Sequence, residues 1–318
     1  MKKVYGLLFS LLLSIGILVG CGTAEESKSP EDNQQTDQTE TSGFPVTVKD
    51  ASDEEVVIEK KPERIISLMP SNTEIAFELG LSDEIVGVTD NDTYPEEVNE
   101  KEKVGGMEFN VEKIISLQPD LVLGHGSAMG LSAEGFQQLK DAGITVLTVK
   151  DATTFTEVYD SIVTIGKATG AVEEAEKLVS DMKAKVDEIQ QKTAEVKEKK
   201  KVYIEIDPAL FTVGKDSIMD EMLIVIGAEN IVKESGWPQL DQEAVIAANP
   251  DVILTTYGDY IKDSTQQVLA REGWQDINAI KNAQVIDVDP DTTTRPGPRL
   301  VEGVEEFAKA VYPELFNE

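Results

Sequence analysis

The feature that most restricts the fold of this 318-residue chain is an internal echo. The stretch Val111-Glu112-Lys113-Ile114-Ile115-Ser116-Leu117-Gln118-Pro119-Asp120-Leu121-Val122-Leu123 returns as Gln242-Glu243-Ala244-Val245-Ile246-Ala247-Ala248-Asn249-Pro250-Asp251-Val252-Ile253-Leu254. Glu, Pro and Asp hold the same offsets, at 112, 119 and 120 and again at 243, 250 and 251. Solenoid repeats recur every ~20–50 residues, so a copy this distant points to duplicated domains. Each copy reads as a short helix, a proline turn and a buried strand. A chain that carries this unit once per half is expected to be α/β, with two similar lobes.

The remaining pattern fits that expectation. Phe44 to Ile58 alternates and reads as a hairpin. Strands are expected at Arg64–Leu68, Ile85–Val88, Asp120–Leu123 and Ile144–Val149, and in the second half at Val202–Ile206. Helices are expected from Pro70, with Ser71 or Asn72 as the cap, and at Val111–Leu117, Phe136–Ala142, Ser217–Ile226 and Leu300–Val311. Between the halves, Val172, Ala175, Val179, Met182, Val186 and Ile189 form one apolar stripe. That stripe predicts a helix from Ala171 to about Val196, ~38 Å long, as a coiled-coil segment or a rigid strut. The expected architecture is two three-layer αβα lobes joined by one long helix, with a ligand cleft between them. The N-terminal lobe would span 44–153, the helical connector 154–200 and the C-terminal lobe 201–318.

The leader has a composition of its own. Lys2 and Lys3 precede an apolar run that ends in Leu18-Val19-Gly20-Cys21. This is a secretory signal over 1–20, and its end resembles a lipobox in which Cys21 becomes the lipidated first residue. Residues 21–43 are polar and read as a disordered tether. No other stretch is apolar for ~18 residues, so the body is expected outside the cytosol, held to the membrane by lipid alone.

Charge and residue counts exclude several chemistries. With 29 Lys plus Arg against 60 Asp plus Glu, the net charge of −31 argues against a nucleic-acid partner. One Cys excludes an internal disulfide, and one His excludes a multi-His metal site. Gly124-His125-Gly126-Ser127 ends a strand and resembles a nucleophile turn, but no second His completes a relay. His125 reads instead as a cleft-lining residue or as a ligand to haem or ferric iron. Glu112 and Glu243 stand in the first turns of matching helices, where an acid complements the helix dipole or engages basic patches on a symmetric partner. Trp237 lies in a loop before the second copy, as a core plug or as a platform for a flat ligand. Arg295 sits in the stiff turn Asp291-Thr-Thr-Thr-Arg-Pro-Gly-Pro-Arg299, and Arg299 at a helix start is expected to pair with an acid.

Several of these stretches together resemble the substrate-binding lipoproteins of ABC importers that take cobalamin, ferric siderophores or haem. They are Arg64 to Glu74, Tyr94-Pro95, Glu112 to Leu123, Gly143-Ile144, Gly227 to Ile231 and Pro298-Arg299. The resemblance covers about Pro62 to Phe316. It implies a non-enzymatic, monomeric carrier with no cofactor of its own. It also implies little hinge closure, and Glu112 and Glu243 as the acids that dock on arginines of the importer's membrane subunits. Cobalamin binders are the most similar, since Trp237-Pro238-Gln239, Asp291 and Arg295 match their ligand-edge residues. In the first lobe they carry a Trp where this chain has Gly105-Gly106-Met107, so Met107, Phe109 or Tyr94 would stand in for that wall. Few basic residues (Arg295, Lys215, Lys233) are candidates for the cleft, which favours cobalamin over anionic siderophores. A hydrolase using His125 and a carrier of bare metal ions are the competing readings.

Overall fold

The computed structural model describes residues 43–316; the expected signal, most of the tether and Cys21 lie outside them. A hairpin of β1 (Val46–Lys49) and β2 (Glu55–Ile58) leads in, with Val46 opposite Ile58. The first lobe follows as β3 (Ile65–Ser67), α1 (Pro70–Glu78), β4 (Ile85–Val88), β5 (Glu102–Lys103), α2 (Val111–Ser116), β6 (Leu121–His125), α3 (Ala133–Asp141) and β7 (Thr145–Val149). Its five strands are all parallel, in the order β5-β4-β3-β6-β7. Two helices come next, α4 (Phe155–Thr169) and α5 (Val172–Thr193).

The second lobe runs β8 (Lys201–Asp207), β9 (Phe211–Thr212), α6 (Ile218–Val225), β10 (Glu229–Asn230), α7 (Gln242–Ala248), β11 (Val252–Thr255), α8 (Ser264–Leu269), α9 (Asn278–Lys281), β12 (Val285–Asp287), α10 (Pro290–Thr294) and α11 (Leu300–Val311). Four strands are parallel in the order β10-β8-β11-β12, and β9 turns back antiparallel on β8. The sheets are separate. In each, the winding direction reverses beside the first strand, between β3 and β6 and between β8 and β11. Open α/β sheets bind ligands beyond the carboxyl ends of the strands at that point.

The echo holds to the level of single hydrogen bonds. Asn110 caps α2 by accepting from the Lys113 amide, and Asp241 caps α7 by accepting from the Ala244 amide. Gln118 (φ 51°) and Asn249 (φ 49°) both end the unit in the left-handed region just before proline. Asp120 then accepts from the Arg64 amide at 3.2 Å and Asp251 from the Lys201 amide at 3.0 Å. The same carboxylate therefore ties the proline turn to the first strand in each lobe.

The long helix expected from Ala171 to about Val196 is α5, and the connecting stretch holds a second helix, α4, before it. The two are separated by Gly170 in the left-handed conformation that ends α4. At 22 residues, α5 is ~33 Å long. Its stripe of Ala175, Val179, Met182, Val186 and Ile189 is buried, and α5 packs on α4, α6 and α11. The apolar core therefore continues from the first lobe through α4 and α5 into the second. Gly166 makes the α4–α5 contact possible: a Cβ there would lie 2.5 Å from that of Ala175.

The cap of α1 differs from expectation. Met69, in extended conformation, precedes Pro70 at the first helical position, and no side chain caps the helix. Asn72 donates to the Gly124 carbonyl (2.9 Å) and Thr73 to the Ser67 hydroxyl (2.8 Å). These polar groups lock α1 to the carboxyl ends of β3 and β6, which positions the cleft floor. No helix among the described residues is long and apolar enough to cross a membrane.

Candidate functional site

A cavity of about 370 Å³ opens between the lobes at the carboxyl ends of β3 and β6. Leu68, Met69, Met107, Phe109 and Phe136 form apolar walls, Asn91 and Ser127 add polar atoms, and Thr294, Arg295 and Pro296 close it from the second lobe. Phe109 and Phe136 meet with ring centroids 5.2 Å apart, which stiffens one wall. A larger hollow of about 570 Å³ beside α11 is lined by Glu302, Glu305, Glu306 and Lys309 and reaches Gln284 at the amino end of β12. The smaller cavity is the candidate, because it lies at the topological switch and joins both lobes.

The lobes are tied together beside it by charge. Glu74 on α1 is 1% exposed, yet it accepts from two arginines of the second lobe. Arg299 reaches its two oxygens at 3.0 and 2.6 Å, and Arg295 reaches Oε1 at 3.2 Å. Asp291 pairs with Arg295 at 2.7 Å and accepts from Thr93 of the first lobe at 3.0 Å. Two partly buried cations thus face two carboxylates, and the set is neutral, as the burial of Glu74 requires. Burial opposes the Arg299 charge, but the bonds to Glu74 and the nearby Asp291 together raise its pKa above the ordinary value. The Tyr94 ring lies 4.2 Å from the Arg299 guanidinium and covers it. Arg299 does pair with an acid, and the acid comes from the opposite lobe.

His125 ends β6 and is buried at the cavity wall. Its Nδ1 lies 2.7 Å from Asp151 and 2.9 Å from the Ser127 hydroxyl. Burial pushes the imidazole pKa down and Asp151 pushes it up; burial is the larger effect, so the pKa falls below 6.5. The neutral ring then donates from Nδ1 to Asp151, which leaves the lone pair on Nε2. Among the described residues, no group of three or more His, Cys, Asp or Glu is placed to hold a bare metal ion.

Of the residues singled out in the sequence, Met107, His125 and Arg295 line the cavity, with Asp291 and Tyr94 in the charge network behind Arg295. Trp237 does not line it. Its ring is 57% exposed on the second lobe, at the repeat position that corresponds to Gly106, which is on the cavity wall. Lys215 and Lys233 lie around a different hollow, with Lys233 paired to Glu229. Glu112 and Glu243 are exposed on α2 and α7. Sequence reasoning missed Glu74, Thr93 and Asp151. It also missed a buried pair in the second lobe, where Arg271 grips Glu205 at 2.6 and 2.8 Å and Tyr257 donates to the same carboxylate. An acid in a run as apolar as Tyr203-Ile204-Glu205-Ile206 was the available signal that a buried cation had to face it.

Comparison with known proteins agrees with this geometry. The chain matches the family described as "Periplasmic binding protein" over residues 65–292. It is 52% identical to the uncharacterized ABC transporter substrate-binding lipoprotein YvrC of Bacillus subtilis (strain 168), with 100% of both chains covered. It is 27% identical to the cobalamin-binding protein of Halobacterium salinarum (strain R1), covering 96% of this chain and 84% of that one. The crystal structure of a possible iron-binding (periplasmic solute-binding) protein from Staphylococcus epidermidis superposes with a TM-score of 0.73 at 37% identity, covering 80% of this chain and 100% of that one. A cleft between two matched α/β lobes, in a chain so similar to these, leads to one assignment: it belongs to the periplasmic binding protein family, as a non-enzymatic substrate-binding protein of an ABC importer.

Proposed function

We propose that the protein captures cobalamin, or a related large metal chelate, outside the cytosol and hands it to an ABC importer. Cys21 would carry the lipid anchor, and Glu112 and Glu243 would meet the membrane subunits. The observation that carries the ligand reading is the charge balance of the cleft. Arg295 is the one cationic side chain among the described residues that line it, and Glu74 and Asp291 already neutralise it. An anionic catecholate would find no spare cation there. A corrin offers broad apolar faces for Met107, Phe109 and Phe136, and an amide rim for Asn91, Ser127 and Thr294. Trp237, exposed on the second lobe, would supply a stacking face. The similarity to a cobalamin-binding protein supports the same choice.

His125 favours haem or another ferric chelate as the second reading. A neutral imidazole oriented by a carboxylate presents its other nitrogen as a metal ligand. Equilibrium dialysis against cyanocobalamin, haemin and a panel of ferric siderophores separates the two. The expected result is retention of cyanocobalamin, weakened by Trp237→Ala. Retention of haemin alone, lost in His125→Ala, would establish the second reading. If no compound is retained, the importer-cargo reading fails.

A further inference from the structure

α2 and α7 each leave one large apolar side chain in water, and it stands at the same position of the repeat. Ile115 is 40% exposed and Ile246 37%. Each follows its exposed glutamate, Glu112 or Glu243, by three residues, which places acid and isoleucine on one helical face. The neighbouring Ile114 and Val245 are fully buried, so both short helices are pinned with that face outward. Lys113, the cation of α2, is turned aside to Glu102 (2.9 Å) and the Lys103 carbonyl (2.8 Å). Glu112 is left without an ion-pair partner among the described residues. Elsewhere on the two helices the copies diverge: Val111 against Gln242, Lys113 against Ala244, Ser116 against Ala247. A single exposed isoleucine needs no explanation. A matched pair, each one turn from a matched acid on helices that otherwise differ, does.

We propose that each lobe engages the importer through a two-part contact, a carboxylate and the isoleucine one turn further on. The occupant is a two-fold pair of like membrane subunits, each presenting a cation beside an apolar socket. A contact repeated once per lobe fits a partner that itself repeats. The division of labour follows from the chemistry: exposed carboxylates steer the encounter and fix its register, while a desolvated isoleucine holds the complex. The inference rests on the docking role given above to Glu112 and Glu243, and it adds the apolar half of the surface.

The test is photo-crosslinking of the full-length, lipidated protein in living cells of its native host. p-Benzoylphenylalanine replaces, one at a time, Ile115, Ile246, Glu112, Glu243 and, as an exposed apolar control, Ile224. Products are identified by peptide mass. Positions 115 and 246 are expected to capture the same multi-span importer subunit, and 224 is not. Adding Glu112→Arg and Glu243→Arg should lower both yields at least tenfold. Capture from 112 and 243 without 115 and 246 would overturn the isoleucine contact and leave the glutamate docking standing. Capture from one lobe only would overturn the two-fold occupant. Capture from none of the four would remove the docking reading itself.

Discussion

His125 is the chain's one histidine, so its titration is visible in isolation. Burial lowers its folded pKa below the ordinary 6.5, against the pull of Asp151. The sign of the linkage follows. On acidification the unfolded chain takes up a proton near pH 6.5 before the folded chain does, so stability falls as pH drops through that value and levels off below the folded pKa. An NMR titration of the imidazole should give a midpoint under 6.5, and Asp151→Asn should move it lower still. A midpoint above 6.5 would mean that Asp151, not burial, dominates. Glu74 makes a second prediction at this scale. Glu74→Gln leaves Arg295 and Arg299 with only Asp291, and removing one partner of a buried pair costs about 3–5 kcal/mol. Urea denaturation should show a loss near the lower figure, because Asp291 shares the burden. These partners were hard to read in advance. Glu74 stands 221 residues from Arg295, and no local pattern encodes so distant a pairing. Arg299 gave half the clue, since a cation at a helix start opposes the dipole and needs an acid.

Elements were more legible where one periodicity governed them. The buried strands β3, β4, β6 and β7 and the final helix α11 sit within one or two residues of their expected places. The repeated helix–turn–strand unit was readable because its proline and its side-chain helix cap act locally. The two-residue strands β5, β9 and β10 left no sequence signal. Their pairing is settled by the neighbouring strand, not by their own residues. The helix α4 fell inside the expected helical connector 154–200 but was not given bounds of its own, because it is buried on several sides and its stripe is broad. Its join to α5 depends on Gly166, which yields a prediction. Alanine is the better helix former by about 1 kcal/mol. At Gly166, however, its methyl would sit 2.5 Å from the Ala175 Cβ and 2.9 Å from the Ala171 carbonyl. Overpacking of this kind costs about 1–3 kcal/mol, so Gly166→Ala should lower the melting temperature. A neutral or higher value would show that α4 and α5 can part without loss.

At the scale of the molecule, two devices tie the lobes together. One is the core that runs without a break through α4, α5 and α11. The other is the neutral cluster of Glu74, Asp291, Arg295 and Arg299 beside the cleft. Hinge closure would have to part the buried Glu74 from its arginines and shear the α5 stripe together, because both cross from lobe to lobe. Each costs several kcal/mol, comparable to the whole stability of a domain. A ligand that closed the cleft by several ångströms would have to supply that energy from its own contacts. The cheaper course is for side chains at the cavity, such as the 67%-exposed Met107, to settle on the ligand over a fixed frame. Small-angle scattering of the protein with and without cyanocobalamin should therefore give radii of gyration that agree within about 1 Å, the range of pre-organised binding. A contraction of several ångströms would show that the cluster opens in solution and that the lobes move as separate bodies. On the proposed docking through Glu112 and Glu243, which ride on different lobes, the importer would then recognise the closed state by lobe spacing. With a fixed frame that distance does not change. Loaded and empty protein then present the same two acids at the same separation, and on the proposed docking the discrimination between them would come from the ligand at the cleft mouth.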